Sequence, residues 1–417
     1  MVSPTVRRVV VSGLGVITST GECVPAFQQA LFSGACGIGA VDLFDTAGFP
    51  CRHAGQVKHR DLRSLFNPRE IKRASRCDLL GLAAAREAFA DAGLAPGTYD
   101  GANAAIVLGA GTGGLHSWER YCRRVRSGAA APCPSQLLGV PQCTITDRIA
   151  SHYSIGGHRA TIATACSSSA TSIGYGFDLI RSGACDIVIT GGSESLSECT
   201  FAGFSSLRLM DARACRPFDK NRQGLSLGEG AAILILEEYE HARKRGIAAY
   251  AEVLGYAINC EAFHMTSPHP DAGGMSAVMS GALERAGITA DHVDYINAHG
   301  TGTPVNDTTE TLAIKKVFGE QLAAAIPISS TKSMVGHCLG ASGAIEAAAT
   351  VLAILRQAVP PTVHYEVPDP ACDLDYVPNH ARQHPIRTAL SNSFAFGGNN
   401  TSLVFGRVDR ASARTAQ

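Results

Sequence analysis

The sequence predicts an α/β protein built of two similar halves. Three observations lead there. Strand-like and helix-like segments alternate along the whole chain, the pattern of sheets covered by helices. One short succession (helix, Ala-Gly-apolar stop, strand, Gly-rich loop) occurs twice in the same order. And 417 residues suffice for two fused halves with sizeable cores, with no Pro/Ser-rich linker to hold them apart.

The elements follow in order. Arg8–Ile17 reads as a buried, β-branched strand. With Arg7 and Arg8 in front it superficially resembles a signal peptide, but Gly13 and Gly15 break the apolar run and it lacks a small-residue cleavage site. Cys77–Ala92 reads as a helix stopped by Gly93, and Ala104–Leu108 as a strand. Thr161–Ala165 is the next strand, and Ser167–Arg181 a helix ending at Gly183. Ile187–Thr190 and Ala231–Leu236 are strands again. The repeat sets Ala84–Leu94 and Ala104–Gly114 against Ala277–Ile288 and Val293–Thr303, and Arg8–Ile17 against Tyr250–Ile258. The halves are expected at residues 1–250 and 251–408, with 409–417 a frayed tail.

Composition narrows the function. Apolar residues are 45% of the chain and charged ones 17%, below the roughly 25% usual for soluble domains, which excludes a charged disordered chain. Lys+Arg and Asp+Glu are 36 each, so no global field draws nucleic acid or a membrane, and a charged partner must meet a local patch. No run approaches the roughly 18 apolar residues of a membrane span. The 14 cysteines include no Cys-x-x-Cys and sit singly in apolar stretches, as at Cys185 and Cys338. They read as buried small hydrophobes in a reducing cytosol, with no metal site and no disulfides.

Four motifs carry chemistry. In Ala163–Ser168 a strand ends at Cys166 and a helix begins, aiming the thiol at a helix N-terminus that favours thiolate, the form that attacks covalently. A structural cysteine sits at such a junction too. In Asn297–Pro304 a strand delivers His299 into a Gly/Thr-rich loop suited to a polar substrate arm, although a loop histidine is commonly just a surface or core residue. In Ser330–His337, followed by a helix carrying Glu346, a lysine, a histidine and a carboxylate gather round a Gly-rich turn; a capped helix with exposed Lys and His reads equally. In Asn392–Asn400 two aromatics stand beside paired glycines, as core at a tight turn or as a mobile flap over a pocket.

The order of these motifs (Cys166, then HGTGT, then TKSMVGH, then FGG) resembles the elongating β-ketoacyl-acyl-carrier-protein synthases of the Cys-His-His type, in the thiolase superfamily. The likeness runs from Val9–Thr18 to Asn400–Gly406 and includes the characteristic Arg216–Gly246. It implies the thiolase fold: two duplicated halves in a five-layered α-β-α-β-α sandwich, as a homodimer, with a heterodimer with a ketosynthase-like sister subunit as the other arrangement. It implies acyl transfer to Cys166 and then decarboxylative condensation with malonyl on the carrier protein, lengthening the chain by two carbons. No cofactor is implied beyond the phosphopantetheine arm of the acyl carrier protein.

By the same resemblance His299 and His337 are neutral donors to the enolate oxygen, and the N–H groups of Cys166 and Phe396 form a second oxyanion hole. Phe394 and Phe396 are gate residues. Lys332, beside Glu346, orients the loop and tunes the histidines, while Asp307 and Glu310 support the site from behind. Thr301, Thr303 and Thr266 are expected on the phosphopantetheine arm, and Thr112 and Phe204 in the acyl pocket. Arg69, Lys72 and Arg73, which share a face if helical, and Arg208 are expected to dock the acidic carrier protein. Arg123, Arg124 and Arg126 lie near another docking region, and Gly128–Pro134 lacks bases.

Three positions depart from the family pattern: Thr112 replaces a bulky aliphatic gate, the flap ends Gly397-Gly398-Asn399-Asn400, and Cys166 precedes three serines. All three are expected around the acyl pocket, suggesting a polyene or polyketide intermediate. The competing function is a non-catalytic chain-length partner of a ketosynthase, which lacks the nucleophile that this chain has. A degradative thiolase would carry a second cysteine near the C-terminus, and an initiating synthase His and Asn without the lysine motif.

Overall fold

The computed structural model describes residues 6–58, 61–128 and 134–408. The expected tail and most of the Gly128–Pro134 stretch lie outside the described residues. Ten strands form one sheet. The first half supplies β1 (Val9–Thr18), β2 (Ala104–Gly109), β3 (Arg159–Ile162), β4 (Ile187–Glu194) and β5 (Gly230–Glu238). The second supplies β6 (Glu252–Cys260), β7 (Tyr295–Asn297), β8 (Ile328–Ser329), β9 (Thr388–Phe394) and β10 (Asn399–Gly406).

The spatial order is β8-β7-β9-β10-β6-β1-β5-β4-β2-β3, so the halves mirror each other strand for strand. In the first half β1 with β5 and β5 with β4 are antiparallel, and β4 with β2 and β2 with β3 are parallel. In the second, β6 with β10, β10 with β9, β9 with β7 and β7 with β8 repeat those senses. The halves join through β1 and β6 at Val9↔Val253 and Val10↔Glu252. The two repeats seen in the sequence are thus equivalent strands, β2 with β7 and β1 with β6.

Among the described residues, six of the helices α1 (Arg76–Asp91), α2 (Leu115–Arg126), α3 (Thr144–His152), α4 (Ser168–Arg181), α5 (Glu198–Ser206), α6 (Gly273–Ala286), α7 (Pro304–Ala325) and α8 (Ser342–Arg356) make the other layers, while α2 and α5 contact each other outside them. Strand parity shows how they stack. In β2, Ala105 and Val107 face a core shared with Ile173 and Phe177 of α4 and Leu352 of α8. Ala104, Ile106 and Leu108 face the opposite core, with Leu80 and Phe89 of α1 and Ile149 of α3. In the second half, Ile296 and Leu390 meet Met279 of α6 and Ile314 of α7. The layers are therefore α1/α3, first half-sheet, α4/α8, second half-sheet and α6/α7.

Both faces of each half-sheet are covered, which is why the strands read as continuous apolar runs. Each large aliphatic side chain buried this way contributes about 1.5–3 kcal/mol. The segment Leu339–Arg356 is long and apolar enough to cross a membrane, which the sequence reading missed, but 89% of it is buried as the central helix of the sandwich.

Two element ends differ from expectation. The strand before Cys166 stops at Ile162, because Ala165 turns to a φ of 51° and Ala165–Ser167 makes a 3-10 turn. And β4 runs on to Glu194, carrying that carboxylate into the interior.

Candidate active site

The turn Ala165–Ser167 sets Cys166 at the head of α4. Its serines build the turn: Ser167 Oγ donates to Thr164 O at 2.9 Å and Ser168 Oγ to Ala165 O at 2.6 Å. Ser169 Oγ accepts from Ala344 N at 2.9 Å, tying α4 to α8. The Cys166 sulfur is buried, and the backbone N–H groups of Phe396 and of Cys166 itself favour its thiolate. Burial pushes the thiol up to about 11, against the pull of Lys332 and the two N–H groups. Burial thus opposes the thiolate that the helix terminus favours.

His299 follows β7 and His337 follows the helical turn Lys332–Val335. Their rings lie 5.5 Å apart at 86°. His337 Nδ1 faces Leu339 N at 3.1 Å and Ser342 Oγ at 2.8 Å. A backbone N–H can only donate, so Nδ1 is the acceptor and Nε2 carries the proton. His299 Nδ1 lies 3.2 Å from Lys332 Nζ, whose ammonium also only donates, giving the same tautomer. Burial and then the nearby Lys332 charge hold both histidines well below the usual imidazole range, with His337 adding to the effect on His299. Two neutral Nε2–H donors result.

Lys332 is itself buried. Its ammonium donates to His299 O at 2.6 Å and pairs with Glu346. Burial pushes Glu346 up to about 7, against the pull of Lys332. Behind the loop, Glu310 accepts from the N–H groups of His299 and Gly300, each at 2.8 Å, and burial lifts it to about 7. Asp307 accepts from Phe218 N at 2.7 Å and Gly302 N at 3.2 Å. The pair shapes the backbone that presents His299. Gly300 is required there: its φ is 39°, and a Cβ would stand 2.6 Å from that of Ser330.

Cys166, His299 and His337 line one cavity of about 180 Å³ with Phe394, Phe396 and Phe204. Phe394 meets His299 edge-on at 6.0 Å, and Phe396 stacks on Phe204 at 5.8 Å. Thr266, Thr301 and Thr303 line the same cavity, and the last two share a hydroxyl contact of 2.9 Å. Sequence reasoning missed Leu209, Leu225 and Met275 in the wall, and Leu339 and Ser342 as partners of His337. The first three come from separate elements and carry no local signal. The characteristic stretch Arg216–Gly246 acts through its backbone: Ser226 O accepts from His337 N at 2.7 Å, and Gly228 N donates to His337 O at 2.9 Å.

Thr112 is outside the lining of this cavity; its hydroxyl donates to Glu194 Oε1 at 2.6 Å. Ser167, Ser168, Ser169 and Asn399 are also outside the lining. The serine hydroxyls are used up in the turn and in the helix contact, and Asn399 Nδ2 reaches Phe396 O at 3.4 Å. Of the flap's asparagines, only Asn400 faces the cavity.

On the surface, Arg69, Lys72 and Arg73 are exposed around the helical turn Pro68–Ile71. Lys72 and Arg73 share a concavity with Arg63 and Arg120, and all three share another with Leu138 and Arg148. Arg208 lies in neither. Arg123, Arg124 and Arg126 form the exposed last turn of α2, with Arg123 paired to Glu198.

The sequence profile of the β-ketoacyl synthase N-terminal domain matches residues 6–242, and that of the C-terminal domain residues 250–366. The chain is 41% identical over 407 residues to 3-oxoacyl-[acyl-carrier-protein] synthase 2 of Synechocystis sp., covering 96% of this chain and 98% of that one. Among solved structures, the ishigamide ketosynthase/chain length factor superposes with a TM-score of 0.92 at 37% identity, covering 97% of this chain and 100% of that one. AntDE:AntF, a type II polyketide synthase acyl-carrier protein in complex with its ketosynthase bound to the hexaketide, gives 0.86 at 34%, covering 96% and 100%.

Proposed function

This chain belongs to the β-ketoacyl synthase family, and we propose that it performs the family's condensation with Cys166 as nucleophile and His299 and His337 as the decarboxylation pair. The reading fits fatty-acid and type II polyketide synthesis alike. One observation carries it: the buried Cys166 thiol shares a cavity with two histidines whose Nδ1 atoms each face a donor, leaving Nε2–H free to donate.

In the first step Cys166 Sγ attacks the carbonyl of an acyl thioester on the carrier protein. The oxyanion sits on the N–H groups of Cys166 and Phe396. The pantetheine thiol leaves with the proton that Cys166 gives up, and the acyl group stays on Cys166. In the second step malonyl-carrier protein enters. Its carbon–carboxylate bond breaks, CO2 departs, and the electron pair becomes an enolate whose oxygen takes both Nε2–H bonds. The enolate carbon attacks the acyl-Cys166 carbonyl and expels the Cys166 thiolate. The product is a β-ketoacyl chain two carbons longer on the carrier protein.

Supporting roles follow. Lys332 and Glu346 fix His299, Asp307 and Glu310 fix its loop, and Phe394 and Phe396 gate the thiol beside Phe204. Thr301, Thr303 and Thr266 hold the phosphopantetheine arm, and no other cofactor is needed. The dents holding Arg69, Lys72 and Arg73 receive the acidic carrier protein. The open edge of β3 and the half-exposed Tyr175 on α4 favour a dimer, either of two copies or with a sister subunit, in a reducing cytoplasm. The presence of Cys166 weighs against a chain-length partner without activity.

Reconstitution tests the reading. Acyl- and malonyl-carrier protein with this chain should yield the extended β-ketoacyl-carrier protein and one CO2 per product. Absence of extended product with an active carrier protein would refute it.

A further inference from the structure

Glu194 stands at the end of β4 with its side chain wholly buried. It accepts from Gly111 N at 2.8 Å, Thr112 N at 3.0 Å, Thr112 Oγ1 at 2.6 Å and Gly340 N at 3.2 Å. Two of those partners are glycines against which the carboxylate nests: a Cβ on Gly111 or Gly340 would meet Glu194 Oε2 at 2.3 or 2.9 Å. One carboxylate therefore ties two segments distant in sequence, the loop after β2 and the turn Leu339–Ala341.

That turn controls His337. Leu339 holds a left-handed backbone, φ 45°, which a leucine adopts only when its surroundings impose it. In that conformation its N–H points at His337 Nδ1, and the next N–H, of Gly340, points at Glu194. Holding Gly340 thus holds Leu339, and Leu339 sets the tautomer that places the proton on Nε2.

We propose that Glu194, with the Thr112 hydroxyl as its fourth donor, is a positioning residue that keeps His337 an Nε2–H donor for decarboxylation. It touches no substrate. The proposal deepens the reading above and rests on the role given there to His337. Thr112 then acts on the reaction through Glu194.

The test separates the two half-reactions in Glu194→Gln, Thr112→Val and Thr112→Ser. Cys166 acylation is followed by mass spectrometry with acyl-carrier protein, and CO2 release with malonyl-carrier protein. Glu194→Gln should lower decarboxylation at least about tenfold, the scale of a misplaced oxyanion donor, and acylation under about threefold. Thr112→Val should shift the same ratio in the same direction by a smaller factor, and Thr112→Ser, which keeps the hydroxyl, should recover most of it. In 15N-histidine NMR spectra, His337 should lose its single-tautomer pattern in step with the activity. Should Glu194→Gln fail to fold, Thr112→Val, which removes one bond, is read by the same measurements. Equal losses in both half-reactions, or lost decarboxylation with an unchanged His337 spectrum, would overturn the proposal. A wild-type protein that takes an acyl group but releases no CO2 would overturn the reading of His337 beneath it.

Discussion

Lys332 Nζ lies 3.2 Å from His299 Nδ1 and is ion-paired with Glu346, all within the protein interior. The ammonium therefore has an electrostatic partner on one side and an imidazole lone pair on the other. It orients His299 and adds to the burial that holds the imidazole neutral. Breaking a buried pair by removing one partner costs about 3–5 kcal/mol, because the other charge is left uncompensated. Lys332→Met should cost that much in denaturant unfolding, and adding Glu346→Gln should restore most of it. If the double variant is no more stable than the single one, the pair is not what holds Lys332.

The two histidines are assigned to decarboxylation. Substituting either by alanine should slow condensation about a hundredfold or more, the size of a lost oxyanion-hole donor, while Cys166 acylation survives better. Rapid-quench acylation alongside CO2 release checks this. Equal losses in both steps would contradict the division of labour.

Buried neutral histidines also give stability a pH dependence. Their folded pKa values are depressed, so below about 6.5 the unfolded chain binds protons that the folded one refuses. Stability from this source is present above about 6.5 and lost as pH falls, by about 1.4 kcal/mol per pH unit per histidine. Glu310 and Glu346, raised to about 7, act in the opposite sense: their contribution is present at low pH and lost as pH rises through 7. Comparing wild type with His337→Gln between pH 6.5 and 5.5 isolates the histidine, and the variant should show the shallower loss.

The exposed bases Arg69, Lys72 and Arg73 should steer the carrier protein. Reversing their charges should raise its apparent KM, strongly at low ionic strength and little at high, because exposed charges act within a Debye length of about 10 Å at 0.1 M salt. A KM indifferent to both reversal and salt would leave the cluster a solvated surface.

The sequence made visible what is local. Strand runs, the repeat and the stops at Gly93 and Gly183 follow from backbone preference and burial, and the structure has them within a few residues. The motifs around Cys166, His299 and Lys332 were each ambiguous alone and became legible only in their order along the chain, through the resemblance to the β-ketoacyl synthases. What depends on distant contacts was not. The hydrogen bond of Thr112 to Glu194, eighty-two residues away, has no trace in the local sequence. Glu194 itself lies four residues beyond the strand read at Ile187–Thr190. The burial that opposes a Cys166 thiolate also escaped the sequence, since a helix terminus is local and burial is not.

The central claim is that Cys166 carries the growing chain, and intact-protein and peptide mass spectrometry test it most directly. Incubation with acyl-carrier protein should add one acyl group per chain, mapped to the peptide holding Cys166. Malonyl-carrier protein should then discharge it as the extended β-ketoacyl product. Cys166→Ala should take up none. An adduct at another residue, or elongation by Cys166→Ala at the wild-type rate, would contradict the account.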